Sequence, residues 1–254
     1  MTEYLRKIKE LRPGIFQLIG RMPDCHSYVI KGSDKNVMID TGLPYAEEAI
    51  IKALNELGLS VDDIDLVILT HEHIDHIGCA PIFFDTAMIA THRLAAMKIQ
   101  LQDEFAMMNQ LFGLSSAGFR VDICLEGGSV ILMGNYNLTV VHTPGHSSGS
   151  ICLYEPDQRL IFTGDTVLTE GNIGGVFGSG SISDYIESVK RLSMLRVDDY
   201  YPGHGPASKN PPKEFQAAIE RSCAILEDSK ALFGVVRGKS RFDHIREYMK
   251  HLND

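Results

Sequence analysis

The stretch "THEHIDHIGCA", residues 70–80, sets three histidines, a glutamate and an aspartate into six positions directly after the apolar run "DLVIL" of residues 65–69. A short apolar run bounded by polar residues predicts a buried strand, so the ionisable cluster falls where that strand ends. Loops held by a rigid scaffold are where sites are built. In an extended segment, side chains two apart project the same way, which lets His71 and His73 grip one ion while Asp75 and His76 turn toward a second. Imidazole and carboxylate suit zinc best, although iron(II) and manganese(II) accept the same donors. Glu72 points away from both flanking histidines on this reading. It is expected at the surface or behind the ligand loop, not as a base.

The same placement recurs along the chain. His146 follows "NLTVVHTPG", Asp165 follows "RLIFTG" and His204 follows "DDYYPG", so four strand ends each offer a metal donor to one rim. Five histidines in such matched positions outweigh the ordinary fate of a lone histidine. For Asp75 and Asp165 the competing roles are an N-cap and a turn aspartate. Ordinary structural or surface roles are expected of His26, His92, His142, His244 and His251, with His26 and His142 nearest to a site role.

Around these loops the chain alternates strands and helices. Short β-rich runs, "GIFQLIG", "SYVIKG" and "NVMIDTG", precede a helix over 44–57 opened by Pro44 and closed by Gly58. After "DLVILT" and "AMIAT", a second β-rich set follows in "VDICL", "SVILMG", "NLTVVHT", "SICLYE" and "RLIFTGD". Helices are predicted over 183–195 and from 212 onward, with "DDYYPGHG" as a last strand. Two β-rich halves with interspersed helices predict an α/β fold of two sheets packed face to face, helices outside. Residues 92–112 carry Met97, Leu101, Phe105, Met108, Leu111 and Phe112 near helical spacing, which reads first as a core-facing stripe and second as an apolar cover over a pocket. The glycine-rich "GNIGGVFGSGS" at 171–181 lacks G-K-[ST] and reads as a mobile rim loop, not a phosphate cradle.

Composition bounds the function. The 254 residues suit one large domain, with no linker-like break. A net charge of -9, from 33 acidic against 24 basic residues, disfavours nucleic acid and anionic membranes as partners. A small-molecule substrate is expected instead, with homo-oligomerisation left open. The five cysteines, Cys25, Cys79, Cys124, Cys152 and Cys223, are scattered and never in C-x-x-C spacing, so reduced, mostly buried thiols are expected. No signal-peptide or membrane-spanning apolar run is present, and the expected compartment is the cytoplasm.

H-x-H-x-D-H at 71–76, "TPGHSSGS", "FTGDT" and "YPGHG", in this order, resemble the metallo-β-lactamase superfamily from about "IDTG" to "PGHG". The resemblance implies a four-layer αββα sandwich with two divalent ions. His71, His73 and His146 would hold one, Asp75, His76 and His204 the other, with Asp165 bridging and Asp40 bracing the ligand loop. The chain as a whole is expected to form a single domain over 1–254, with a helical pocket-covering segment at 91–118 and C-terminal helices at 211–252. The implied chemistry is attack of a metal-bridging hydroxide on an acyl carbonyl of a small thioester, ester or lactone, with Asp75 as the candidate catalytic proton carrier. The chain is similar to the glyoxalase II branch in its motifs, but no basic residues in "TVLTEGNIGGVFGSG" match those that hold glutathione there. Lactonases of this fold place a tyrosine after the bridging aspartate, where Thr166, Val167 and Leu168 stand. RNA cleavage, iron-dependent oxygen or persulfide chemistry, and a non-catalytic metal scaffold are the competing classes.

Overall fold

Strands in the computed structural model, which describes residues 4–115, 118–208 and 210–232, fall into two sheets. The first runs in chain order through β1 (Lys7–Arg12), β2 (Ile15–Ile19), β3 (Ser27–Lys31), β4 (Asn36–Ile39), β5 (Leu66–Leu69), β6 (Met88–His92) and β7 (Ile123–Leu125). It is antiparallel from β1 to β4 and parallel from β4 to β7. The second takes β8 (Val130–Leu132), β9 (Asn137–His142), β10 (Ile151–Glu155), β11 (Leu160–Gly164) and β12 (Asp199–Pro202) in the order β12-β11-β10-β9-β8. Its one parallel pair, β11 with β12, is joined through a helix, as a parallel crossover requires.

The period of two along each strand explains the layering. On β4, Val37 and Ile39 face one core while Met38 faces another; on β11, Leu160 and Phe162 divide from Ile161 in the same way. Val37, Ile39, Ile68, Val140, Leu153 and Phe162 meet between the sheets. The outer face of the first sheet packs under α1 (Glu47–Glu56), which buries Ala49, Ile50, Ala53 and Leu54. The outer face of the second packs under α4 (Ile182–Ser193) and α5 (Pro211–Leu232), through Tyr185, Val189, Leu192, Phe215 and Ala218. Three apolar cores separate four layers, the expected αββα sandwich. Each fully buried Leu, Ile or Phe contributes about 1.5–3 kcal/mol, so the site rests on a scaffold that resists deformation.

Two local expectations change, and one strand is unanticipated. β1 is an edge strand with largely exposed side chains, so its charged sequence "KIKELR" carries no apolar signal. "VDICL" supplies β7, which joins the first sheet beside β6 instead of the second. Residues 92–112 do not form one helix. The helix α3 (Arg93–Gln100) stops, Gln102 and Met108 adopt left-handed backbone, and a 3-10 turn spans Asn109–Phe112. Met97, Leu101, Phe105 and Leu111 stand exposed, so these positions do not form a core-facing stripe. Of the expected helices over 211–252, α5 is seen to Leu232; the rest, with His244 and His251, lies outside the described residues.

Candidate metal centre

The ligand loop begins at Thr70, past β5, and turns through the short helix α2 (Ile74–Ile77). Beneath it lies Asp40, at the end of β4, in a left-handed conformation (φ 54°) that non-glycine residues seldom adopt. That turn aims its carboxylate at the loop. Oδ1 accepts from Thr70 N at 2.7 Å, and Oδ2 accepts from Thr70 Oγ1 at 2.8 Å and faces His76 Nδ1 at 2.8 Å. Thr70 Oγ1, its proton committed to Asp40, accepts from His71 Nδ1 at 3.0 Å. A carboxylate or hydroxyl acceptor at Nδ1 fixes the tautomer, so His71 and His76 both present Nε2 as the lone-pair nitrogen. His146 is set likewise: its Nδ1 donates to the Gly175 carbonyl at 3.0 Å.

These nitrogens converge. His71, His73 and His146 each offer an atom within 4.8 Å of the others, as do Asp75, His76 and His204, and also His71, His76 and Asp165. His73 Nδ1 and His146 Nε2 lie 2.9 Å apart. Asp165 sits between the groups, 3.4 Å from His76 Nε2 and 3.7 Å from both His146 Nε2 and His204 Nε2, while Asp75 Oδ2 lies 3.2 Å from His204 Nε2. All seven predicted donors are therefore brought together. Nε2 of His71, His73 and His76 and Oδ1 of Asp165 are buried without a hydrogen-bond partner. Orphaned buried polar atoms are rare and costly, and those of His71, His76 and Asp165, whose donor atoms lie within 4.8 Å of one another, fit a divalent cation.

Protonation follows the same geometry. Burial, reinforced by neighbouring imidazoles, holds His71 and His73 well below the ordinary imidazole range, so both are neutral donors. For His76, burial opposes the charge, but Cys25, Asp40, Asp165 and Asp75 together raise it well above that range. Burial likewise opposes ionisation of Asp165, yet His204, His76 and His146 hold it well below the usual carboxylate range. A cation bound here would replace protons on the second cluster.

The sequence reading gave Cys25 no place near the site and left His26 close to one. Cys25 places its sulfur within 4.8 Å of Asp40 and His76 donor atoms, but burial pushes its thiol up to about 12, and it stays protonated. His26 accepts from Gly20 N at 3.0 Å through Nδ1 and meets the Gly205 carbonyl at 2.9 Å through Nε2, pinning the loop that carries His204. His92 and His142 stack on each other, ring centroids 3.9 Å apart, and join none of the donor groups. Glu72 is fully buried, which corrects the surface alternative. The rim loop is not loose either: Phe177 N donates to the His146 carbonyl at 3.1 Å and Gly174 N to the Asp165 carbonyl at 3.2 Å.

Residues 21–204 match the family model described as the metallo-beta-lactamase superfamily. The chain belongs to the metallo-β-lactamase superfamily. Membership carries the enzyme reading with it, a metal-dependent hydrolase. Among its relatives, the acyl-coenzyme A thioesterase MBLAC2 of Bos taurus is 31% identical over 228 residues, covering 77% of this chain and 80% of that protein. The atrochrysone carboxyl ACP thioesterase of Aspergillus fumigatus is 25% identical, over 85% of this chain and 64% of its own length. A metallo-beta-lactamase family protein from Thermus thermophilus superposes with a TM-score of 0.74 at 24% identity, covering 90% of this chain and 85% of its own, and shows the shared fold.

Beside the donors opens a cavity of about 440 Å³. Asp75, Asp165 and His204 form its floor, and Met22, Pro23, Leu111, Phe112 and Leu168 form apolar walls. This volume suits a small organic ligand.

Proposed function

We propose that the protein hydrolyses acyl thioesters at a centre of two divalent ions, zinc by donor chemistry. His71, His73 and His146 would hold one ion and Asp75, His76 and His204 the other, with Asp165 available to both. The observation that carries this reading is the donor cluster, whose Asp75, Asp165 and His204 open on an apolar-walled cavity. Divalent ions held there would make a nucleophilic oxygen available at neutral pH and polarise the acyl carbonyl. The chain's own part is positional. Asp40, through Thr70 and His76, fixes imidazole orientation; the walls from Leu111, Phe112 and Met22 exclude bulk water and lay the acyl chain beside Asp75. Asp75 takes the proton from the attacking water as the C–O bond forms, and returns it to the thiolate as the C–S bond breaks. The thioesterase names of two relatives favour thioesters over the ester and lactone alternatives. A cytoplasmic setting, where Cys25 and Cys152 remain thiols, belongs to the same proposal.

The test is kcat/KM of metal-replete protein across thioesters, esters, lactones and bis(p-nitrophenyl) phosphate. Thioesters should lead and the phosphodiester trail. A phosphodiester preference would overturn the acyl assignment.

A further inference from the structure

Glu72 stands between His71 and His73, takes no place in the donor cluster, and has a side chain with no exposure to solvent. A carboxylate so far from water has to be met by donors, because an uncompensated buried charge is among the costliest features a fold can carry. The donors come from three separate segments. Lys98 Nζ, on α3, donates to Oε1 at 2.7 Å; Ser179 Oγ, in the rim loop, donates to Oε1 at 3.0 Å; Ser147 Oγ donates to Oε2 at 2.8 Å. Lys98 also donates to Ser148 Oγ at 2.6 Å, and Ser148 N donates to Ser179 Oγ at 3.0 Å, which closes the ring. Gly149 admits it: a Cβ there would stand 2.8 Å from Glu72 Oε2.

Chain neighbours give this ring its role. Glu72 is bonded in sequence to His71 and His73, and Ser147 to His146, so one carboxylate is a single residue removed from all three histidines of the first cluster. The second cluster is braced directly by Asp40 on His76, and Asp40 reaches the first only at His71 by way of Thr70 Oγ1. We propose that Glu72, neutralised by Lys98, is the positioning residue of the three-histidine ion site and sets the spacing of His71, His73 and His146. This rests on the two-ion reading above. A plain structural ion pair, by contrast, would support both ion sites equally.

Glu72→Gln keeps the shape and removes the charge; Lys98→Met removes the partner and keeps the stem. Each variant is titrated with zinc against a chelator of known affinity, its cobalt(II) absorption spectrum is recorded, and the thermal midpoint of the metal-free protein is measured alongside. Both variants should weaken one ion roughly 10–100-fold, as loss of a ligand-orienting partner does elsewhere, and change the cobalt spectrum while the other ion binds as in the parent. Because Asp40 meets His76 directly and His71 only through Thr70, Asp40→Asn should weaken the opposite ion more than the three-histidine one. Parent-like affinity at both ions, or equal weakening at both in step with a lowered midpoint, would overturn the assignment. If Glu72→Gln does not fold, Lys98→Met decides alone. A parent protein that binds no metal would instead bring down the two-ion reading itself.

Discussion

At the scale of single residues, protonation state decides what each side chain can do, and burial sets it. His26 shows this away from the donors. Its Nδ1 must stay bare to accept from Gly20 N, and burial holds the ring down to about 4, against an ordinary 6.5. The folded pKa is depressed, so the unfolded chain binds the proton first as pH falls. The contribution is complete above 6.5 and is lost between 6.5 and about 4, on the order of 3 kcal/mol. Melting of the metal-free protein should therefore fall over that interval, and His26→Gln should flatten the fall. An unchanged slope in the variant would remove His26 from the account. The donors themselves were legible in sequence, because a metal site needs ionisable groups just past strands and these stand out locally. Glu72 was not, since its burial is imposed by Lys98, Ser147 and Ser179 from distant segments.

At the scale of elements, most strands and helices were legible as apolar periodicity, and the misreadings have physical reasons. β1 lies at an edge and buries little; β7 pairs by a choice of sheet that its own sequence does not encode. Residues 101–112 keep helical spacing but are turned by left-handed Gln102 and Met108, and held to the ligand loop by Ile74 N donating to the Met107 carbonyl at 2.9 Å. That anchor leaves Leu111 exposed on the cavity wall. Burying one methylene is worth about 0.8 kcal/mol, or roughly fourfold, so kcat/KM should climb about fourfold per added acyl CH₂ until the cavity fills. Leu111→Asp should shrink that increment while hydrolysis of an acetyl thioester persists. The same increment in both proteins would show that the chain lies elsewhere.

At the scale of the whole molecule, two sheets with three apolar cores hold four loops from β5, β9, β11 and β12 around one cluster, within a chain of net charge -9. The acidic surface says little about this pocket, where two divalent ions would outweigh Asp75 and Asp165. Because such ions bind the folded state, they stabilise it by mass action, about 2.7 kcal/mol at a hundredfold excess over Kd. The central claim is that seven donors from four loops build a two-ion centre. Elemental analysis of the purified protein and of the His71→Ala/His73→Ala double variant tests it most directly. Two transition-metal ions per parent chain, and at least one fewer in the variant, are predicted. A parent without metal, or a variant with undiminished metal content, would contradict it.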